Sequence, residues 1–466
     1  MKYGGQTMER DNVWKKYTQE EEKELQTICQ GYRHFLNQGK TERECVKYIV
    51  EMVKQSGYEN LEEVRKSGRK LKTGDKVYAV NMKKAVALFQ IGDDPITDGM
   101  NILGAHIDSP RLDVKQNPLY EDTDFAYLDT HYYGGIKKYQ WVTLPLAIHG
   151  VVAMKSGEVI DVVIGEDDKD PIFCVTDLLI HLAGEQMDKK ASKVVEGEKL
   201  DLLVGSRPLE GEEKEPVKNM VLSILKKKYG MEEEDFLSAE LEIVPAGKAR
   251  DAGLDASMIM GYGQDDRVCA YTSVIAMLEM NDLKKTACCL LVDKEEIGSV
   301  GATGMQSKFF ENTVAEIMDS MGEYSELNLK RCLAASNMLS SDVSAAFDPN
   351  YASAFEKKNA AYFGRGVVFN KFTGSRGKSG SNDANAEYIG KLRKIMDDNN
   401  VAFQTAELGK VDIGGGGTIA YILSLYGMNV IDSGVAILNM HAPWEISSKA
   451  DVYEAMKAYK AFLKDA

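Results

Sequence analysis

Long apolar runs are missing from this chain. No stretch approaches the roughly 18 residues of a membrane span, and the segment Met1 to Tyr17 holds no apolar core of a secretory signal. Excess positive charge is missing too. Lys and Arg total 57 against 72 Asp and Glu, a net charge of −15, so neither nucleic acid nor an anionic membrane is an expected partner. Metal-spaced cysteines are also absent. The seven cysteines (29, 45, 174, 269, 288, 289 and 332) are odd in number, include no CxxC pair and lie mostly in apolar contexts. They read as buried free thiols in a reducing cytoplasm. Histidine is scarce, with six in the chain: His34, His106, His131, His149, His181 and His441. A metal site here would have to draw on those few imidazoles and on carboxylates.

What is present is a folded chain of 466 residues, 44% apolar, long enough for two or three domains. Apolar periodicity predicts a helix over 18–37 and a second starting at the Thr41-x-x-Glu44 capping box. Short strands are expected at 76–82, 85–91 and 101–106. Residues 111–245 differ in character, with strands expected at 137–148 and 158–164, helices at 175–189 and 217–228, and a charged stretch at 196–215. This part reads as an inserted domain used for assembly, leaving 1–110 and 246–466 as the main domain. His181 falls on the expected amphipathic helix at 175–189, where a satisfied structural histidine is the simpler reading. Outside the insert, strands and helices alternate. That pattern implies an α/β sandwich around a mixed, mostly parallel sheet.

The chemistry is concentrated at the ends of apolar runs. Asp293-Lys-Glu295-Glu296-Ile-Gly-Ser299 follows the run Thr286–Val292. Adjacent carboxylates at a buried strand end are costly without a compensating charge, which a metal ion supplies. Asn101–His106 ends in His106-Ile-Asp108, where Asp108 can fold behind the imidazole and fix its tautomer, or merely cap a loop. Asp265-Asp266-Arg267 stands at a helix start and, taken alone, reads first as simple capping. Asp342 follows Ser340-Ser341, and His441 ends the strand-like run 434–439. In open α/β sheets functional residues gather beyond the carboxyl ends of strands. Two histidines and four acidic residues (His106, Asp265, Glu295, Glu296, Asp342 and His441) suit a pair of divalent ions about 3.5 Å apart. Zinc fits this donor set best, with cobalt or manganese possible. One carboxylate left off the metals would serve as a general base.

Two further stretches are ambiguous. The segment 364–381 is basic and glycine-rich, lacks the phosphate-loop order, and reads as a substrate-side loop or a plain surface loop. Four glycines, 414–417, precede a short helix and leave amide N–H groups open to a substrate carbonyl or anion, or form a simple turn.

The chain resembles the aspartyl aminopeptidase family of dinuclear zinc aminopeptidases, in AHIDSPRL (105–112), QDDR (264–267), DKEEIGS (293–299), SSDVSAAFDPNY (340–351) and NMHA (439–442). The resemblance implies a three-layer zinc-aminopeptidase sandwich with an inserted β-rich dimerisation domain. It implies that Asp265 bridges two metals, that His106 and Asp342 complete one site, and that Glu296 and His441 complete the other. Glu295 would be the general base and Asp108 the partner of His106. It further implies dimers assembled into a tetrahedral dodecamer, with His181 reaching a neighbouring subunit's active site. Arg376 would bind substrate together with Lys371, Gly415 and Gly416. Asn370 stands where acid-preferring members carry lysine, and Gly377 where a tyrosine is usual. A preference for acidic N-terminal residues is therefore weakened, and a neutral or broader one expected. The function expected is removal of N-terminal residues from peptides in the cytoplasm. The alternatives are a dinuclear amidohydrolase or deacylase, and an inactive shell-forming homologue.

Overall fold

A computed structural model describes residues 10–466. The segment read above as lacking a secretory core lies partly outside the described residues. The chain divides into two compact units. One holds the chain up to Asp108, Ala249–Met440 and Glu445–Ala466; the other holds Ser109–Lys248 and His441–Trp444.

The first unit is built on a nine-stranded sheet. From edge to edge its strands are Glu59–Asn60, Lys76–Asn81, Ala85–Gln90, Ala287–Val292, Asn101–His106, Asn337–Ser340, Asn429–Gly434, Val367–Asn370 and Phe403–Thr405. The four strands from Ala287–Val292 to Asn429–Gly434 are mutually parallel. Each is buried over nearly its whole length, as expected when helices cover both faces. Alternate residues feed opposite cores. Leu103, Ala105, Leu291, Leu339 and Ile431 pack with the helices Gln19–Gln38, Gln264–Glu279, Ala386–Asp398 and Lys449–Asp465. Ile102, Leu290, Met338 and Val430 pack on the other side with Phe309–Met321, Glu326–Ala335 and Ala420–Ser424. The result is the expected α/β sandwich, with a mixed and mostly parallel sheet.

Local signals set the helix ends. Thr18 and Thr41 each close a capping box, with Glu21 and Glu44 reaching back to the cap. Pattern reading missed the strand Val367–Asn370 because it lies inside a glycine-rich, basic stretch. The helix Phe309–Met321 follows a loop that starts with Lys294, Gly298 and Ser299 in left-handed conformations.

The second unit is a seven-stranded sheet of antiparallel pairs. Two of its strands, Arg111–Asp122 and Phe125–Tyr133, escaped the sequence reading. A register shift between Val114 and Leu119, beside Pro118, interrupts the alternation that would have revealed them. Thr123 and Asp124, both at positive φ, turn the hairpin. The strand expected at 137–148 is a 3₁₀ turn, Lys138–Gln140, and the strand starts only at Leu146. Thr143 at φ 61° and Pro145 bend the chain before it.

The helix expected at 175–189 is also corrected. It is a two-residue strand, a 3₁₀ turn at Ile180–Leu182 and a single α-helical turn, Gly184–Met187. Its apolar residues do not form a buried stripe. Leu178, Leu179, Ile180 and Leu182 are all exposed, the last two at 67% and 68%. Among the described residues no helix is long and apolar enough to cross a membrane. All seven cysteines are free thiols and all but Cys174 are buried.

Candidate active site

Three adjacent parallel strands of the first unit bring the acidic motifs to one edge. Asn101–His106 lies between Ala287–Val292 and Asn337–Ser340, so their carboxyl ends coincide. His106 and Asp108 leave the first strand, Asp293 to Glu296 the second, and Ser341-Asp342 the third. Asp265 and Asp266 come from the start of Gln264–Glu279, where both have non-helical φ/ψ and the peptide between them is cis. Their non-helical backbone angles set them apart from ordinary first-turn residues. The buried Arg267 anchors that turn, donating from Nε to the Ile107 carbonyl (3.2 Å) and from Nη2 to the Lys40 carbonyl (2.8 Å).

His106 is the hub. Its Nδ1 faces the Asp108 carbonyl oxygen at 3.0 Å and the Asp108 carboxylate at 3.3 Å. A proton held there leaves Nε2 as the lone-pair nitrogen. Nε2 points to Asp265 Oδ1 at 3.2 Å, with Glu295 Oε2 at 3.9 Å. Two trios of potential ligands share this imidazole: His106, Asp265 and Glu296, and His106, Asp266 and Asp342. Within each trio the candidate atoms all lie within 4.8 Å of one another. The Glu295 side chain is 16% exposed beside them.

Asp108 has a second task that sequence reasoning missed. Its two carboxylate oxygens accept the backbone N–H groups of Glu295 and Glu296, each at 3.2 Å. One residue thus fixes both the imidazole and the segment that carries the two glutamates. On the far side Asp293 is locked by the Thr303 hydroxyl (2.6 Å) and by the Lys294 N–H (2.8 Å). Glu445, also without a sequence signal, accepts the Asp265 N–H at 3.0 Å.

The electrostatics of this cluster call for cations. Burial pushes the Asp342 carboxyl well up, and the charges of Asp266, Asp265 and Glu295 push it further. Burial likewise raises Asp266, against the opposing pull of His106. Asp293 is raised to about 6 by burial, with Glu42 and Asp108 adding repulsion. Burial opposes the charged form of His106, yet its contacts with Asp108 and Asp265 and the charge of Glu295 outweigh that and raise its pKa. So many buried carboxylates around one imidazole cannot all ionise without added positive charge. Imidazole plus carboxylate is a donor set that zinc accepts. The residues present fit divalent metal on those grounds.

The remaining predicted residues fall in different places. His441 belongs to the second unit, with Nδ1 2.9 Å from the Gly135 carbonyl oxygen. His181 lies in that unit too, in its exposed 3₁₀ turn. Lys371 is exposed and 4.0 Å from Asp383. Arg376 is exposed at φ 44°. Gly415 sits at φ +113°, where a Cβ would lie 2.3 Å from the Gly374 carbonyl oxygen, so the glycine run packs tightly on the basic loop. Gly416 is partly buried beside Leu408.

Comparison with known proteins gives consistent results. A family model described as "Aminopeptidase I zinc metalloprotease (M18)" matches residues 35–463. A "Probable M18 family aminopeptidase 1" of Clostridium acetobutylicum is 64% identical over 458 residues, 98% of each chain. The crystal structure of an M18-family aminopeptidase from Thermotoga maritima superposes with a TM-score of 0.94 at 45% identity, covering 99% of this chain and 100% of the other. A yeast mApe1 dodecamer, 18% identical with a TM-score of 0.75 over 94% of this chain and 97% of its own, shares the fold.

Proposed function

The chain belongs to the M18 family of zinc metalloaminopeptidases, and on that premise we propose how its residues divide the work. Two divalent ions are held by His106, Asp265, Glu296 and Asp342, with His441 added by the family pattern. Zinc is the resident metal, and cobalt or manganese can replace it. When bound, the ions supply Lewis acidity toward the scissile carbonyl and lower the proton affinity of a water.

The other residues position groups and move the proton. Asp108 holds His106 with Nε2 turned to the carboxylates and pins the Glu295 and Glu296 amides in the same contact set. Glu295 takes the proton of the attacking water and delivers it to the leaving amine. Its partial exposure beside the two trios is the observation that carries this assignment, because Glu296 is the glutamate that joins a trio. His181 steadies the oxyanion in a neighbouring subunit. Lys371, Arg376, Gly415 and Gly416 line the substrate loop.

Substrates are peptides with a free N-terminus. Residues 111–245 are the assembly module, and the subunits form dimers within a dodecamer; the yeast relative is itself a dodecamer. The enzyme works in the cytoplasm.

The decisive experiment is Glu295→Gln. Zinc content and assembly should persist while turnover falls about 10²–10⁴-fold, the usual range for general acid–base work. Near-full activity would remove Glu295 as the proton carrier. N-acetylated peptides should resist cleavage, and equal rates on acetylated and free peptides would overturn the aminopeptidase assignment.

A further inference from the structure

One row of side chains on the sheet lies a single step below the metal-ligand positions. In register across neighbouring strands are Asn370, Asp432, Ser340 and Gly104. Paired residues on adjacent strands share a face. That face is the one where Ile102, Met338 and Val430 pack, two residues earlier on their strands. His106 stands two residues past Gly104 on the same face, about 6.6 Å further along at roughly 3.3 Å per residue. Asp342 stands two residues past Ser340. The row is thus a floor beneath the reacting centre.

The floor is polar and carries one carboxylate and no cation. Asp432 is 2% exposed. Its Oδ1 accepts the Thr418 hydroxyl at 2.6 Å, and Thr418 directly follows the glycine run 414–417. Its Oδ2 and the Ser340 hydroxyl, neighbours in register, are buried with no hydrogen-bond partner. Unsatisfied buried polar atoms are costly and mark places where a polar group from outside is accepted. Asn370 spends its amide on the Ala406 carbonyl (3.0 Å). The lysines of the adjoining loop turn elsewhere: Lys378 to Asp383 at 3.1 Å, and Lys371 toward the same carboxylate at 4.0 Å. Burial raises Asp432 to about 7, and the charge of Glu295 contributes, so the two carboxylates feel each other.

We propose that Asp432 is a specificity-determining residue of the floor under the N-terminal side chain of the peptide, excluding acidic side chains and admitting uncharged ones, with amide or hydroxyl donors favoured. This rests on the reading of the site as an aminopeptidase centre. A glutamate reaching the floor meets Asp432 with no cation in that row to offset it. A glutamine of the same shape offers an N–H to the free Oδ2. The selectivity is therefore electrostatic rather than steric.

The test compares glutaminyl and glutamyl substrates, which are isosteric, on the zinc-loaded enzyme at pH 8, above the value to which Asp432 is raised. Wild type should favour glutaminyl by at least tenfold in kcat/KM. Asp432→Asn should shrink that ratio at least fivefold, mostly by improving the glutamyl substrate. A purely structural role would lower both substrates by the same factor and leave the ratio unmoved, which would overturn the proposal. A wild-type ratio near one, or favouring glutamyl, would also overturn it. Should Asp432→Asn fail to fold, Asn370→Lys places a cation beside Asp432, and the ratio should move toward glutamyl by a similar factor; an unchanged ratio there counts against the proposal. Glutaminyl turnover surviving in Glu295→Gln would instead strike the mechanism, leaving the ratio to judge Asp432 separately.

Discussion

The two units depart from ordinary burial in opposite ways. The first buries charge: Asp108, Asp265, Asp266, Asp293 and His106 are all at most 3% exposed. The second exposes apolar surface, with Leu178, Leu179, Ile180, Leu182 and Met187 all open to solvent. Each departure is unfavourable for the chain alone, and each names what resolves it. Buried carboxylates need cations or donors. A contiguous apolar segment needs another protein surface.

The comparison breaks most sharply if the metal is dispensable. Chelation, checked by metal analysis, should cut turnover at least about 10³-fold, in line with losing activation of the nucleophile and charge stabilisation together. Adding zinc should restore it. Removal should also lower the melting temperature, because the carboxylates around His106 then face one another without compensation. A metal-free enzyme with full activity would mean that backbone and side-chain donors already neutralise the cluster.

The second unit is tested by making its exposed segment wet. Leu179→Asp combined with Leu182→Asp should leave a folded protein that light scattering shows as smaller than wild type. Turnover should fall about 10²-fold, the typical cost of one lost oxyanion donor. His181→Ala should cause the same loss while assembly is kept. Full activity in the dissociated double variant would separate the apolar segment from catalysis and reduce it to a packing surface.

The sequence was legible in proportion to how local each signal is. The helix over 18–37, the capping box at Thr41 and the strand 101–106 could be read directly, because helix starts and buried strands are written in a few adjacent residues. His106, Glu296 and Asp342 could be suspected because each follows an apolar run, and Asp265 because it follows a short connecting run before a helix, although only the fold makes them neighbours. Asp432 gave no signal: its importance comes from register with Ser340 and Asn370, distant positions in the chain. Glu445 is silent for the same reason. In the second unit the apolar residues around His181 imitated a helix, because composition alone does not distinguish a stripe facing a core from one left for a partner.

Asp451 gives the smallest expected effect and the cleanest control, as a buried carboxylate in the first unit neutralised without metal. It accepts the Gly364 and Gly366 N–H groups, both at 2.8 Å, and thereby holds the chain entering the strand Val367–Asn370. Burial still raises it to about 7, against the pull of those two N–H groups. The folded protein therefore keeps a proton that the unfolded chain releases near pH 3.9. Between those values the folded state binds more protons, so this residue's contribution to stability falls as pH rises and levels off above about 7. At 1.36 kcal/mol per unit the loss is at most about 4 kcal/mol across that window. Asp451→Asn removes the titration. The melting-temperature difference between wild type and variant should then drift steadily against wild type from pH 5 to 7 and flatten by pH 8, where turnover of the zinc-loaded variant should stay within about twofold of wild type, since no metal ligand is touched. A difference independent of pH would show that two backbone N–H groups suffice to keep a buried carboxylate ionised. The cluster around His106 would then owe its demand for cations to the crowding of its charges rather than to their burial.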